Sequence, residues 1–232
     1  MKKLVFILFF ISSIFAFSQE KRNCGTNNRI DYLNKLNPEN IEKQNAFEQR
    51  IQKWIKDNAN AKTSAITIPV VVHIIYKNNT ENISDAQIQS QIDVLNEDFR
   101  RLNQDANNTP LDFMPYAADM QIEFCLAKRY LGVPTNGIVR KQTSLAEFPL
   151  YSDSVFFTNY GGSSAWNTNR YLNIWVCDIA GPAMGWAQFP ASANPQTDGI
   201  VIDYKRFGTI GTVSQPYHKG RTTTHEVGHW LN

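Results

Sequence analysis

The chain has 232 residues, 23 of them basic and 21 acidic, for a formal net charge of +2. That length suits one domain of roughly 150 to 200 residues with appendages, and leaves no room for two large ones. A near-neutral chain lacks the basic face that neutralises phosphates, so nucleic acid is excluded as a partner.

Met1, Lys2 and Lys3 form a basic start, followed over residues 4–17 by an uncharged apolar run too short to span a bilayer comfortably. This predicts a signal peptide over residues 1–18, with Ala16 and Ser18 supplying the small residues at the cleavage site. The protein is therefore expected to be exported, without stable membrane insertion, because no later apolar stretch approaches spanning length. Cleavage removes two lysines and no acid, bringing the net charge to zero. Of the three cysteines, at least one must stay unpaired within the chain. Cys125 and Cys177 sit in apolar, strand-like runs and read as buried thiols, with a disulfide as the alternative. Cys24 lies in a polar stretch.

Residues 19–62 are polar, with one helical pattern in which Phe47, Ile51, Trp54 and Ile55 share a face. A single amphipathic helix cannot fold alone, so residues 19–62 are expected to pack on the main domain as a pro-segment. An N-terminal helix of the mature protein is the alternative. The main domain spans residues 63–232. It opens with residues 68–76 (IPVVVHIIY), a β-branched run suited to a strand buried on both faces. Next comes a helix with Ser84 as N-cap, Gln87 closing a capping box, and an apolar stripe of Ile88, Ile92, Leu95, Phe99 and Leu102. Residues 121–127 form the following strand, parallel to the first. Three further strands are expected at residues 171–179, 185–189 and 199–204, with Pro190 limiting the middle one to a short edge strand. The expected fold is α/β: a five-stranded mixed sheet, a helix behind it and a second helix opening at the C-terminus.

That last helix carries Thr222-Thr223-Thr224-His225-Glu226-Val227-Gly228-His229. Thr222 or Thr223 suits the N-cap, and Thr223 with Glu226 fits a capping box. His225 and His229 are four apart, so both imidazoles project from one helical face and can bind one zinc ion. Glu226 is offset by about a hundred degrees, where it can reach a water on the metal and act as general base. Two histidines leave a catalytic zinc site one protein ligand short. His73 reads as a satisfied core residue and His218 as a solvent-facing loop residue, so the third ligand is expected beyond Asn232.

From residue 68 onward the chain resembles the pappalysin family of metzincin peptidases. The resemblance rests on IPVVVHIIY, on residues 95–103 (LNEDFRRLN), 171–176 (YLNIWV), 185–190 (GWAQFP) and 198–202 (DGIVI), and on Gly220-Arg221-Thr222-Thr223-Thr224 before the histidines. It implies a longer motif, H-E-x-x-H-x-x-G-x-x-H, with its third histidine three places past Asn232 and a methionine turn later still. Asn232 takes the place of the usual Gly, and Asn tolerates the left-handed backbone needed there. The resemblance further implies that Gly185, Trp186, Ala187, Gln188 and Phe189 form an antiparallel edge strand that binds extended peptide substrates. It also implies that Cys24, in Arg22-Asn23-Cys24-Gly25-Thr26, is a cysteine switch whose thiolate occupies the open zinc position; a disulfide is the other reading. Calcium is compatible with the family, but no oxygen-rich loop in this chain makes a case for it. The expected function is that of a secreted zinc endopeptidase. The alternatives are a zinc peptidase with glutamate as third ligand, and a non-catalytic exported fragment or pseudo-peptidase lacking that ligand.

Overall fold

The computed structural model describes residues 23–58, 64–190 and 194–232. The expected signal peptide, Arg22 and the boundary at residues 62–63 lie outside the described residues. The N-terminal segment forms two helices rather than one, α1 (Thr26–Leu36) and α2 (Glu39–Asp57). The expected packing of α2 is corrected: none of its residues is buried, and Trp54 and Ile55 are exposed. It is α1 that docks, burying Thr26 and Arg29.

The β-branched run becomes β1 (Ile66–Tyr76), fully buried from residue 70 to residue 75. The helix α3 (Asp85–Phe99) follows, capped by Ser84, whose hydroxyl accepts from Gln87 N at 3.2 Å. Only half of the capping box forms, because the Gln87 side chain instead donates to the Phe207 carbonyl at 2.9 Å. Leu102 falls beyond the helix and is exposed, so the apolar stripe ends at Phe99. The remaining strands are β2 (Ile122–Leu126), β3 (Arg129–Tyr130), β4 (Val133–Pro134), β5 (Ile138–Gln142), β6 (Leu172–Cys177), β7 (Gly185–Ala187) and β8 (Ile200–Asp203), and the chain closes with α4 (Arg221–Leu231).

The main sheet has six strands, not the expected five. Its order is β2-β1-β6-β8-β7, and β5 also pairs with β1. β2 takes the first half of one edge of β1 and β5 the second half, both parallel to it. Between them the chain leaves the sheet for the short antiparallel hairpin of β3 and β4. β6 and β8 continue the parallel set, and β7 runs antiparallel to β8 at the far edge. The edge strand is shorter than expected: Gln188 and Phe189 lie outside it.

Side chains alternate across the sheet. On one face Val72, Ile74, Ile174 and Ile202 meet Ile88 and Leu95 of α3 and Val227 of α4. On the other, Trp175, Trp186 and Val201 pack under Phe148, Leu150 and Phe156 from the segment that follows β5. His73 is fully buried, with Nδ1 2.9 Å from the Ser163 hydroxyl and Nε2 3.0 Å from Asn173 Oδ1, and its ring stacks on Trp175. It is a satisfied core residue. All three cysteines are free thiols, Cys177 buried and Cys125 half-buried.

Two consequences are measurable. Ile174→Ala should lower unfolding free energy by about 2–5 kcal/mol in chemical denaturation, because a central-strand side chain is lost without room to collapse. Burial depresses the His73 pKa from 6.5 to about 4. The unfolded chain therefore binds the proton first, so this contribution to stability is fully present above pH 6.5 and is lost as pH falls toward 4. In His73→Gln, the fall in stability between pH 6.5 and 4 should flatten relative to the parent.

Candidate metal centre

The position of α4 is set from its N-terminus. Its N-cap is Gly220, in the left-handed region at φ 69°, and neither Thr222 nor Thr223 fills that role. Thr223 instead donates to Gln91 Oε1 at 2.8 Å, and Gln91 Nε2 donates to the Gly220 carbonyl at 3.1 Å. Thr224 donates to Asp98 Oδ2 at 2.6 Å, and Arg221 bridges Asp98 and Asp105 at 3.0 and 2.7 Å. Near the other end, Trp230 Nε1 donates to Asp198 Oδ1 at 2.7 Å. With Val227 buried in the core, both the depth and the rotation of the helix are determined. Asn232 follows with φ 98°, the positive value that Asn tolerates.

The imidazoles of His225 and His229 then face one another, with their Nε2 atoms 3.1 Å apart. Cys24 Sγ arrives from the N-terminal segment and lies 3.6 Å from His229 Nε2 and 3.6 Å from Glu226 Oε2. Cys24, His225, Glu226 and His229 offer ligand atoms that all lie within 4.8 Å of one another. Tetrahedral zinc with ordinary bond lengths would set two imidazole nitrogens about 3.3 Å apart and a thiolate about 3.6 Å from an imidazole nitrogen. The donor set and its spacing therefore fit such an ion. Burial pushes the Cys24 thiol up, but hydrogen bonds involving His225 and Thr26, together with the His225 charge, outweigh it and bring its pKa down from 9.0 to about 7.

Glu226 is buried, and burial together with the neighbouring Cys24 charge raises its pKa to about 8. Its Oε2 accepts a 2.8 Å hydrogen bond from the Thr26 hydroxyl, so the expected Thr223–Glu226 capping box is not made. Thr26 Oγ1 in turn accepts from Ala187 N of β7 at 2.9 Å. Two more bonds join the segment to this edge: Gly25 N donates to the Gly185 carbonyl at 2.8 Å, and Met184 N to the Asn23 carbonyl at 2.9 Å. The pairing of Cys24 with Gly185 is parallel. Gly25 is needed for the approach, and Gly185 for the close packing of β7 against β8 and Glu226. A Cβ on Gly25 would lie 2.7 Å from Leu150 Cδ1, and one on Gly185 would lie 2.9 Å from the Val201 carbonyl.

The structure thus brings together His225, Glu226, His229, Cys24 and the first three residues of the expected edge strand. Phe189 sits just past that strand with its ring 5.6 Å from that of His229, while Gln188 N returns to the Gly199 carbonyl at 3.1 Å. His73 and His218 do not belong to the cluster. Sequence reasoning missed Thr26, Gln91 and Asp98. Thr26 stood two residues from Cys24, the one local signal that pointed to it.

No family model matches the chain. It is similar to a promirolysin mutant from Tannerella forsythia, with 48% identity and a TM-score of 0.76, covering 91% of this chain and 69% of that one. It is also similar to mature mirolysin from the same organism in complex with a cleaved peptide, with 56% identity and a TM-score of 0.71, covering 74% and 64% of the two chains. Among curated proteins, an extracellular metalloprotease of Pyricularia oryzae is 28% identical over 180 residues, which is 74% of this chain and 51% of that protein. An extracellular metalloprotease of Colletotrichum graminicola is 27% identical over 224 residues, 91% and 64% respectively. The chain belongs to the metalloprotease family that includes mirolysin. It spans about half the length of the first of these curated relatives.

Thr26→Val removes a donor to Glu226 and an acceptor for the Ala187 amide, leaving both partners buried. It should cost about 1–3 kcal/mol of local stability, and the Ala187 amide should exchange faster with solvent deuterium than in the parent.

Proposed function

We propose that this chain is the latent precursor of a secreted, zinc-dependent endopeptidase of the metzincin type, within the pappalysin group. The observation that carries the reading is the convergence of one thiol, two imidazoles and one carboxylate within 4.8 Å, on a helix whose rotation is set by buried hydrogen bonds. His225 and His229 would hold zinc, with Cys24 as a further ligand while residues 19–62 remain attached. Bound zinc supplies an acidified water and polarisation of the scissile carbonyl.

The remaining work falls to this chain's own residues. Glu226 Oε accepts a proton from the attacking water as the new C–O bond forms. It then delivers that proton to the amide nitrogen as the C–N bond breaks, so no net proton is consumed. In the precursor, burial and the neighbouring Cys24 charge raise the Glu226 pKa to about 8; departure of Cys24 removes the second of these causes and favours the ionised carboxylate that general-base catalysis needs. The backbone of β7 offers its outer edge to an extended peptide, whose added pairing would orient the scissile bond. That mature mirolysin has been captured with a cleaved peptide supports the same substrate class.

Latency follows from competition for the same groups. While the N-terminal segment is bound, Cys24 would take the ligand position otherwise open to water, Thr26 holds Glu226, and Asn23, Gly25 and Thr26 take three backbone groups at the β7 edge. Export is supported by the basic and apolar start of the chain and by relatives named as extracellular; no described helix is long and apolar enough to cross a membrane.

Loading the chain with cobalt(II) should give one metal per chain and a thiolate-to-metal charge-transfer band. The band should vanish in Cys24→Ser, and metal retention should drop sharply in His225→Ala and His229→Ala. Retained stoichiometry in both histidine variants would dispose of the metal site. In the mature enzyme, Glu226→Ala should lower peptide cleavage by roughly 10²–10⁴-fold while leaving zinc content near one per chain.

A further inference from the structure

His73, Asn173 and Trp175 are fully buried and take no part in the metal centre. They hold a loop instead. Trp175 Nε1 donates to the Ser163 carbonyl at 2.7 Å, and His73 Nδ1 lies 2.9 Å from the Ser163 hydroxyl. Asn173, whose Oδ1 is 3.0 Å from His73 Nε2, clamps Trp166 from both sides: that oxygen also accepts from Trp166 N at 2.8 Å, and Nδ2 donates to the Trp166 carbonyl at 3.1 Å. A buried polar network whose partners are met fixes one arrangement of whatever it holds. The Trp166 ring is fixed as well, stacked on Tyr130 with centroids 4.1 Å apart and edge-on to Tyr171 at 5.4 Å.

What the network positions is one wall of a cavity of about 330 Å³, on the sheet face opposite α3 and α4. Its size falls within the range of roughly 300–1,000 Å³ seen for small-ligand sites. Residues 164–169 form the first wall, Phe156 and Phe157 a second, and Pro195 and Gln196 a third. Ser163 N donates to the Val155 carbonyl at 3.0 Å and Gly162 N to the Phe157 carbonyl at 3.0 Å, so the first two walls are joined. None of the lining residues is charged. Trp166 Nε1, Asn167 Nδ2 and the carboxamides of Asn169 and Gln196 have no hydrogen-bond partner among the described residues.

The chemistry of the walls selects the occupant. A charged group would enter without a counter-charge, and a purely apolar one would leave the carboxamides unpaired. An extended peptide needs a strand edge to pair with, and the strands that residues 166 and 196 lead into, β6 and β8, lie inside the sheet. Carboxamides both donate and accept, as a hydroxyl does, and the tryptophan ring offers an apolar surface with one N–H at its rim. A pyranose ring has the complementary character, with C–H groups on its faces and hydroxyls around its edge. We propose that this cavity binds a neutral pyranose unit of an oligosaccharide, with the carboxamides of Asn169 and Gln196 on its hydroxyls and the rings of Trp166 and Phe157 against its C–H groups. Such a site keeps an exported chain on a glycan-bearing surface, and it depends on neither the metal nor the removal of residues 19–62.

The test titrates the full chain with N-acetylchitotriose, cellotriose and maltotriose, followed by saturation-transfer NMR and calorimetry. At least one should bind saturably, with a Kd of about 1 mM or tighter, and a zinc chelator should leave that affinity unchanged. Trp166→Ala and the double variant Asn169→Ala/Gln196→Ala should each weaken binding about tenfold. The double variant removes carboxamides that hold no described partner, so it keeps the test decisive should Trp166→Ala not fold. Absence of saturation with all three sugars overturns the proposal, as does parent-like binding in the double variant. Equal affinity for the neutral tripeptide N-acetyl-Gly-Gln-Gly-amide overturns it too, in favour of a peptide site.

Discussion

The outer edge of β7 is the constraint from which the rest of the centre follows. An edge strand presents backbone donors and acceptors that must be paired, covered or left to water. Here they are paired by the chain's own N-terminal segment, through the Asn23 carbonyl, the Gly25 amide and the Thr26 hydroxyl. Those bonds set the register of the segment, and the register delivers Cys24 to the two imidazoles and Thr26 to the buried carboxylate. Backbone pairing thereby acts as the ruler for side-chain chemistry. Gly25 makes it feasible, since a Cβ there would press on Leu150 and the Gly185 carbonyl and hold the segment off the edge.

A second set of contacts gives the opposite wall its precision. β1 anchors α3 through the apolar core, and α3 turns two polar residues toward α4. Gln91 spans Gly208 N, the Gly220 carbonyl and the Thr223 hydroxyl, while Asp98 receives Thr224 and Arg221. Buried polar networks of this kind specify one arrangement strongly when their partners are met. The rotation of the histidine-bearing helix is thus inherited from the sheet by way of a neighbouring helix.

Much of this was legible in the residues. The unbroken β-branched run identified the central strand, Ser84 the start of α3, and the four-residue spacing of His225 and His229 their shared face. What escaped had physical reasons. Residues 138–142 (IVRKQ) carry two charges and cover only half of an edge, so their period is too short and too polar to stand out. The residues 26–36 lack a capping side chain, and their buried positions include a threonine and an arginine. The N-terminus of α4 looked self-capped by threonines, but tertiary partners claimed Thr223 and Thr224 and left Gly220 to begin the helix. The contact of Thr26 with Glu226 spans 200 positions, and no local pattern encodes such a pairing.

The unburied face of α2 has an optical corollary. Of the five tryptophans, Trp54 alone lies before residue 63, and it is 61% exposed, whereas Trp175 and Trp186 are wholly enclosed. Indole emission shifts with the polarity around the ring, so the red-most component of the intrinsic fluorescence belongs to the N-terminal segment. Enzyme purified away from that segment therefore lacks this component, and its emission reports, without an added label, whether the segment is still attached.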